Sequence, residues 1–196
     1  MQKPLTVLFF GVQGSGKGTQ VKLLMEKIRA QSDAAIIHID MGHLLRTMVG
    51  TGSYSGKLVN EVISVGKRMP DFMPTYLATN ALVQGLQTGE EHIIADGLAR
   101  GPDQTRGYDD AMTFFGRDNF QIISLELTDE ESTKRLLARG RNDDTPEGIA
   151  QRLGWYKIDV LPQLEMLRSR GRTVHAINGN QSVDAVHADI MLALGL

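Results

Sequence analysis

Leu5-Thr6-Val7-Leu8-Phe9-Phe10-Gly11-Val12-Gln13-Gly14-Ser15-Gly16-Lys17-Gly18-Thr19-Gln20 is the stretch that decides the fold of this 196-residue chain. Its first half, Leu5 to Phe10, is an apolar run without in-out alternation, the pattern of a strand covered on both faces. Its second half is a glycine-rich turn, after which Val21, Leu24, Met25 and Ile28 recur at helical spacing. Strand, loop and helix in that order make a phosphate cradle. Glycines let backbone amides converge on an anion, the helix start adds positive potential, and a lysine at position 17 bridges the outer phosphates of a triphosphate. Gly14, Ser15, Gly16, Lys17, Gly18 and Thr19 are the expected triphosphate-binding residues. One detail departs from the general pattern: Gly18 follows Lys17, and the hydroxyl arrives one place later at Thr19.

Outward from this stretch, four more apolar runs read as strands: Ala35 to Ile39, His92 to Ala95, Phe120 to Leu127 and Val174 to Ile177. Helical patterns fill the gaps, and Val183, Val186, Ile190, Met191 and Leu194 repeat the helical spacing near the end. Alternating strands and helices predict an α/β, three-layer P-loop fold with a five-stranded parallel sheet flanked by helices. Ligands of such a sheet lie beyond the carboxyl ends of its strands. The length fits one domain with one core over 1–196. Within it, residues 41–70 are helical in pattern but broken by Gly50-Thr51-Gly52 and Gly66, and read as a small excursion from the sheet layer.

Composition removes several classes of function. The balance of 21 Lys+Arg against 23 Asp+Glu, for a net charge of -2, predicts no nucleic-acid or other polyanion partner. No run approaches the roughly 20 apolar residues of a membrane span, and Met1-Gln2-Lys3-Pro4 leads directly into the first strand, so no membrane or secretory targeting is expected. The absence of cysteine excludes disulfides and thiolate zinc sites, and a cytoplasmic setting fits. His38, His43, His92, His175 and His187 are scattered rather than spaced as a metal set. His38 and Asp40 share one strand face, where packing or capping explains them, and the methionines and Trp155 read as core.

Gly11 to Gln20 resembles the opening of the adenylate kinase and nucleoside monophosphate kinase family, and later landmarks follow in that family's order. Met41-Gly42-His43-Leu44-Leu45-Arg46 is similar to its Thr-Gly-Asp-x-Leu-Arg segment. Asp96-Gly97-Leu98-Ala99-Arg100 with Gln104 is similar to its Asp-Gly-Phe-Pro-Arg-x-x-x-Gln segment. Arg135, Arg139 and Arg141-Asn142-Asp143-Asp144 come next, then Arg152-Leu153-x-x-Tyr156 and Ile177-Asn178-Gly179. The resemblance spans essentially the whole chain.

That resemblance implies a kinase that moves the γ-phosphoryl group of ATP onto AMP to give two ADP, with Mg2+ accompanying ATP; a monomer is expected. Lys17 and the loop amides would hold the donor phosphates, with Arg135 stacked on the donor base and Gly179 beside it. Arg46 and Arg100 would grip the acceptor's phosphate, Met41, Met69 and Gly97 would line its site, and Gln104 would read its adenine edge. Arg139, Arg141 and Arg152 would close on the phosphoryl group in flight, and Asp96 would hold magnesium through water. Asp143 and Asp144 would order the arginines or a minimal lid at 139–145. Elementary chemistry agrees, since phosphoryl transfer needs alignment and charge neutralisation rather than a covalent nucleophile. In isolation, Arg135, Arg139 and Arg141 would read as a solvated helix face. Gathered in one cleft, Lys17, Arg46, Arg100, Arg139, Arg141 and Arg152 repel until polyphosphate binds, which predicts ligand-driven closure.

Several positions depart from the family pattern. Met41 stands for the usual Thr near the acceptor base, whereas Gln104, an amide that both donates and accepts, favours AMP over UMP or CMP. His43 stands for Asp, exchanging an anion for a side chain that titrates near about pH 6.5; a surface histidine also fits. Leu98-Ala99 replaces a Phe-Pro pair with a cis bond, which predicts a strained or rearranged loop before Arg100. Only Gly140 separates Arg139 from Arg141, and so short a lid predicts ATP hydrolysis without acceptor. Two rival functions stay open: a kinase for UMP, CMP or GMP, and a nucleotide-binding regulator of the same fold without turnover.

Overall fold

A computed structural model of the chain describes residues 4–141 and 144–196, so the expectation for Asp143 lies outside the described residues. The five strands are β1 (Thr6–Gly11), β2 (Ile36–Asp40), β3 (His92–Asp96), β4 (Gln121–Glu126) and β5 (Thr173–Asn178). They form one sheet in the order β2-β3-β1-β4-β5, with every pairing parallel. Missing alternation in the sequence now has its cause. Val7, Leu8, Phe9 and Phe10 of β1, Ile93, Ile94 and Ala95 of β3, and Ile122 and Ile123 of β4 are all at most 2% exposed. Neighbouring residues on a strand point to opposite faces, so the sheet divides the core in two. Leu8, Phe10, Ile93, Ala95 and Ile122 pack on one side with Leu82, Met112 and Leu167, while Val7, Phe9, Ile94 and Ile123 pack on the other with Leu24, Ile28, Val186 and Ile190.

The helices are α1 (Lys17–Arg29), α2 (Met41–Gly50), α3 (Tyr54–Ile63), α4 (Phe72–Gly85), α5 (Pro102–Phe114), α6 (Asp129–Arg139), α7 (Pro146–Trp155), α8 (Leu161–Ser169) and α9 (Val183–Leu194), with a π-helical stretch, Tyr156–Val160, between α7 and α8. Local chemistry starts many of them. Asp40, Ser53, Thr128, Thr145 and Ser182 each accept a backbone N–H three residues on, satisfying a first-turn donor of α2, α3, α6, α7 and α9. The Gly50-Thr51-Gly52 break seen in the sequence is the turn from α2 to α3, two helices whose Met41, Leu45 and Val59 pack into the core beside the sheet.

Parallel strands bring all five carboxyl ends to one edge: Gly11, Asp40, Asp96, Glu126 and Asn178. Polar clusters fasten the opposite edge. Arg117 donates to the carbonyls of Pro4, Gly89 and Glu91. The Glu91 carboxylate accepts from the N–H groups of Gln87, Thr88 and Gly89. Burial acts to raise its pKa, but these hydrogen bonds reverse the effect and hold it at about 2. Asp109 takes Arg170 at 2.6 Å and Arg172 at 2.7 Å.

Candidate active site

Residues 11–16 leave β1 and turn into α1, and two glycines show why the sequence must be what it is. Gly16 sits at φ 95 with open space where a Cβ would stand, so only the left-handed backbone demands glycine. Gly11 at φ 142 is limited by contact as well, because a Cβ would come 2.8 Å from the carbonyl oxygen of Leu125. Ser15 N–H donates to the Val12 carbonyl at 3.1 Å, closing the turn. Among the described residues no backbone carbonyl takes the N–H groups of Gly14, Gly16, Lys17 or Gly18, which are thus available to an anion. Lys17 folds over the loop, its Nζ donating to the Gly11 carbonyl at 2.7 Å and the Val12 carbonyl at 2.9 Å. Burial lowers its pKa to about 8; Asp96 opposes that shift, while Arg100 and Arg139 add to it.

Beside the loop, the sheet register sets Asp40 directly against Asp96. Asp40 caps α2 through the His43 N–H at 2.9 Å. Asp96 differs, because its Oδ1 is buried and has no partner among the described residues. Burial raises its pKa, and Lys17 and Arg100 work against that rise. Arg100 reaches back across Gly97, whose φ is 77 and whose missing Cβ would lie 2.8 Å from the Arg100 Nη2. The loop between them contains Ala99 at φ 53, the one non-glycine residue with positive φ among the described residues, and no peptide bond there is cis. A left-handed alanine costs about 1–2 kcal/mol. The strain expected of Leu98-Ala99 therefore resides in a backbone angle, held by burial of both side chains.

A second group forms around Asp144, whose side chain is 0% exposed. Its Oδ2 and Oδ1 accept from Arg139 Nε and Nη2, each at 2.8 Å, and Oδ1 also accepts from Arg152 Nη2 at 2.8 Å. The Arg141 N–H adds a contact at 3.2 Å. Burial pushes the Asp144 carboxyl up, but the two guanidinium groups more than reverse this and hold it at about 2. A buried carboxylate thus offsets the expected repulsion between Arg139 and Arg152, whereas Arg100 and Arg139 still act on Lys17. Arg135 bonds Glu131 at 2.9 Å and the Gly179 carbonyl at 3.1 Å, which brings these two expected donor residues together. Gly179 packs on the Glu126 carbonyl, where a Cβ would approach to 2.7 Å.

The expected acceptor residues are placed less uniformly. Arg46 is exposed on α2 and makes no ion pair among the described residues. Met41 is 1% exposed in the core, and Met69 packs partly buried against that core. Gln104 is 4% exposed, its Nε2 donating to Asp71 Oδ1 at 2.9 Å and its Oε1 accepting from the Arg100 N–H at 3.3 Å. Asp71 also takes Arg68. Three residues that sequence reasoning left without chemistry belong to this region: Asp40, Asp71 and Trp155. Asp40 read as a cap, which it is, and only the strand order reveals its pairing with Asp96. Trp155 offered one signal, its position three residues after Arg152 on one helix face.

A lysine-bearing phosphate loop, facing arginines and strand-end carboxylates on one edge of a parallel sheet, defines the class of P-loop phosphotransferases. The family model described as Adenylate kinase matches residues 9–172. The chain is 33% identical over 190 residues to an "Adenylate kinase" of Prochlorococcus marinus (strain MIT 9211), covering 97% of each. It is 30% identical to an "Adenylate kinase" of Corynebacterium diphtheriae, covering 97% of this chain and 99% of that one. It is also 30% identical to an "Adenylate kinase 1" of Nostoc sp., covering 96% and 98%. The chain belongs to the adenylate kinase family.

Proposed function

We propose that the chain transfers the γ-phosphoryl group of ATP to AMP, releasing two ADP, as a monomer in the cytoplasm. The observation that carries this reading is the convergence of Lys17, Asp96, Arg100 and Arg139 within electrostatic reach of one another at the carboxyl edge of the sheet. In the reaction, an acceptor phosphate oxygen bonds to the γ-phosphorus as the bond to the β-bridging oxygen breaks. Lys17 and the loop amides bind the donor, Arg46 and Arg100 bind the acceptor, and Arg139, Arg141 and Arg152 neutralise the oxygens of the group in transit. Arg135 and Gly179 flank the donor base. Residues 41–70 carry the acceptor side and 139–145 a minimal lid.

The residues present fit a magnesium ion held chiefly by the nucleotide. No group of three or more His, Cys, Asp or Glu able to hold a metal occurs among the described residues. The buried, partnerless Asp96 Oδ1 is instead suited to accept from a metal-bound water, with Asp40 adjacent in register. When bound with ATP, Mg2+ neutralises phosphate charge.

Burial of Met41 and engagement of Gln104 by Asp71 favour a second reading of the acceptor alone, in which base discrimination is relaxed and GMP, UMP or CMP also serves. Chromatography of products after incubation with Mg-ATP and each monophosphate separates the readings. ADP accumulating with AMP is expected; no diphosphate from any acceptor defeats the proposal and leaves a nucleotide-binding regulator.

A further inference from the structure

We propose that Trp155 is a positioning residue, which latches the 41–70 segment to α7 and presents the Arg100 guanidinium to the acceptor's phosphate. The inference rests on the acceptor role given to Arg100 above and deepens it. Trp155 is the chain's one tryptophan and ends α7. Its indole N–H donates to the Gly66 carbonyl at 2.9 Å. Its ring carries Arg100, with the guanidinium carbon 5.5 Å from the ring centroid. One side chain thus touches two parts of the acceptor machinery that are far apart in sequence.

The contact at Gly66 is a close fit. This glycine has φ 73, and a Cβ would stand 2.9 Å from the carbonyl of Gly148, in the first turn of α7. Arg68 Nε adds an ion pair to Asp159 at 3.5 Å in the π-helical stretch that follows. The same helix bears Arg152, which shares Asp144 with Arg139. Helix α7 therefore joins the lid arginines, the acceptor segment and Arg100, and Trp155 makes two of those three junctions. A tryptophan that merely filled the core would need some acceptor for its N–H and some neighbour for its face. Here the acceptor is the segment beyond α3 and the neighbour is a cation, which an indole face attracts more strongly than other aromatic rings do. With its carbon above the ring face, the guanidinium keeps its N–H donors for the fork that two phosphate oxygens require.

Two variants separate the junctions. Trp155→Phe keeps a ring face and removes the N–H; Trp155→Leu removes both. In the ligand-free Trp155→Phe variant, amide hydrogen exchange over residues 64–70 is expected to quicken by roughly fivefold, the equivalent of one hydrogen bond. The KM for AMP should rise by a similar factor relative to the KM for ATP. In Trp155→Leu, turnover with AMP should fall as well, by about tenfold, because Arg100 loses its platform. A purely structural role would lower the melting temperature and leave the two KM values moving together. Wild-type exchange over 64–70 in Trp155→Phe, or equal shifts of both KM values in either variant, overturns the proposal. If the unaltered protein makes no diphosphate from AMP, the functional reading fails while the exchange measurement still decides the latch.

Discussion

Lys17 sits among other cations in an enclosed place, and its proton is correspondingly loosely held. With its pKa lowered to about 8, chiefly by burial, most of the free protein carries a neutral amine at pH 8.5 to 9. Triphosphate oxygens favour the charged form, so binding there must take up a proton. Calorimetric titration of Mg-ATP at pH 9 in two buffers of different ionisation heat should show that uptake, with affinity falling as pH rises from about 8 by up to tenfold per unit. Identical heats in both buffers would contradict it. Asp144 presents the opposite case, an anion held by two guanidinium groups. Asp144→Asn leaves those cations partly uncompensated, and urea denaturation should record a loss of roughly 3–5 kcal/mol, as for other broken buried pairs.

At the scale of elements, α6 ends at Arg139 and α7 begins at Pro146. The minimal lid proposed there would exclude water poorly, and phosphate release from Mg-ATP without acceptor should be measurable. A rate equal to that without protein would discard the idea. The elements themselves were readable in the sequence wherever burial imposed a repeat. Leu5 to Phe10 was read as a strand and β1 begins one residue later and ends at Gly11, while the Val183-to-Leu194 spacing lies on α9. The phosphate loop was readable because its backbone needs glycine at fixed places, as Gly11 and Gly16 show. Contacts set by the three-dimensional packing were not readable. Nothing local to Gln104 announces that Asp71 takes its amide, and nothing near Asp40 announces Asp96 across the strand gap. The Ala99 backbone was only half foreseen: the missing proline indicated strain, but the form it takes depends on the burial around it.

For the molecule as a whole, acid stability is set at both edges of the sheet. Glu91 and Asp144 each have a pKa of about 2 in the folded chain, below an ordinary carboxyl, so their contribution is complete above about pH 4 and is lost as pH falls from there toward 2. His92 acts earlier. Its Nδ1 accepts from the Leu5 N–H at 2.9 Å, and burial lowers its pKa, so the unfolded chain takes a proton that the folded one resists. Melting temperatures should therefore decline gently below about pH 6.5 and steeply below about pH 4. A flat profile down to pH 3 would contradict this assignment. Staples such as Arg117 and Asp109 grip the amino edge of the sheet, opposite the edge bearing Gly11, Asp40 and Asp96. A change at the exposed His43 leaves those staples untouched, whereas changes at Met41, Leu98 or Ala99 reach into the core itself.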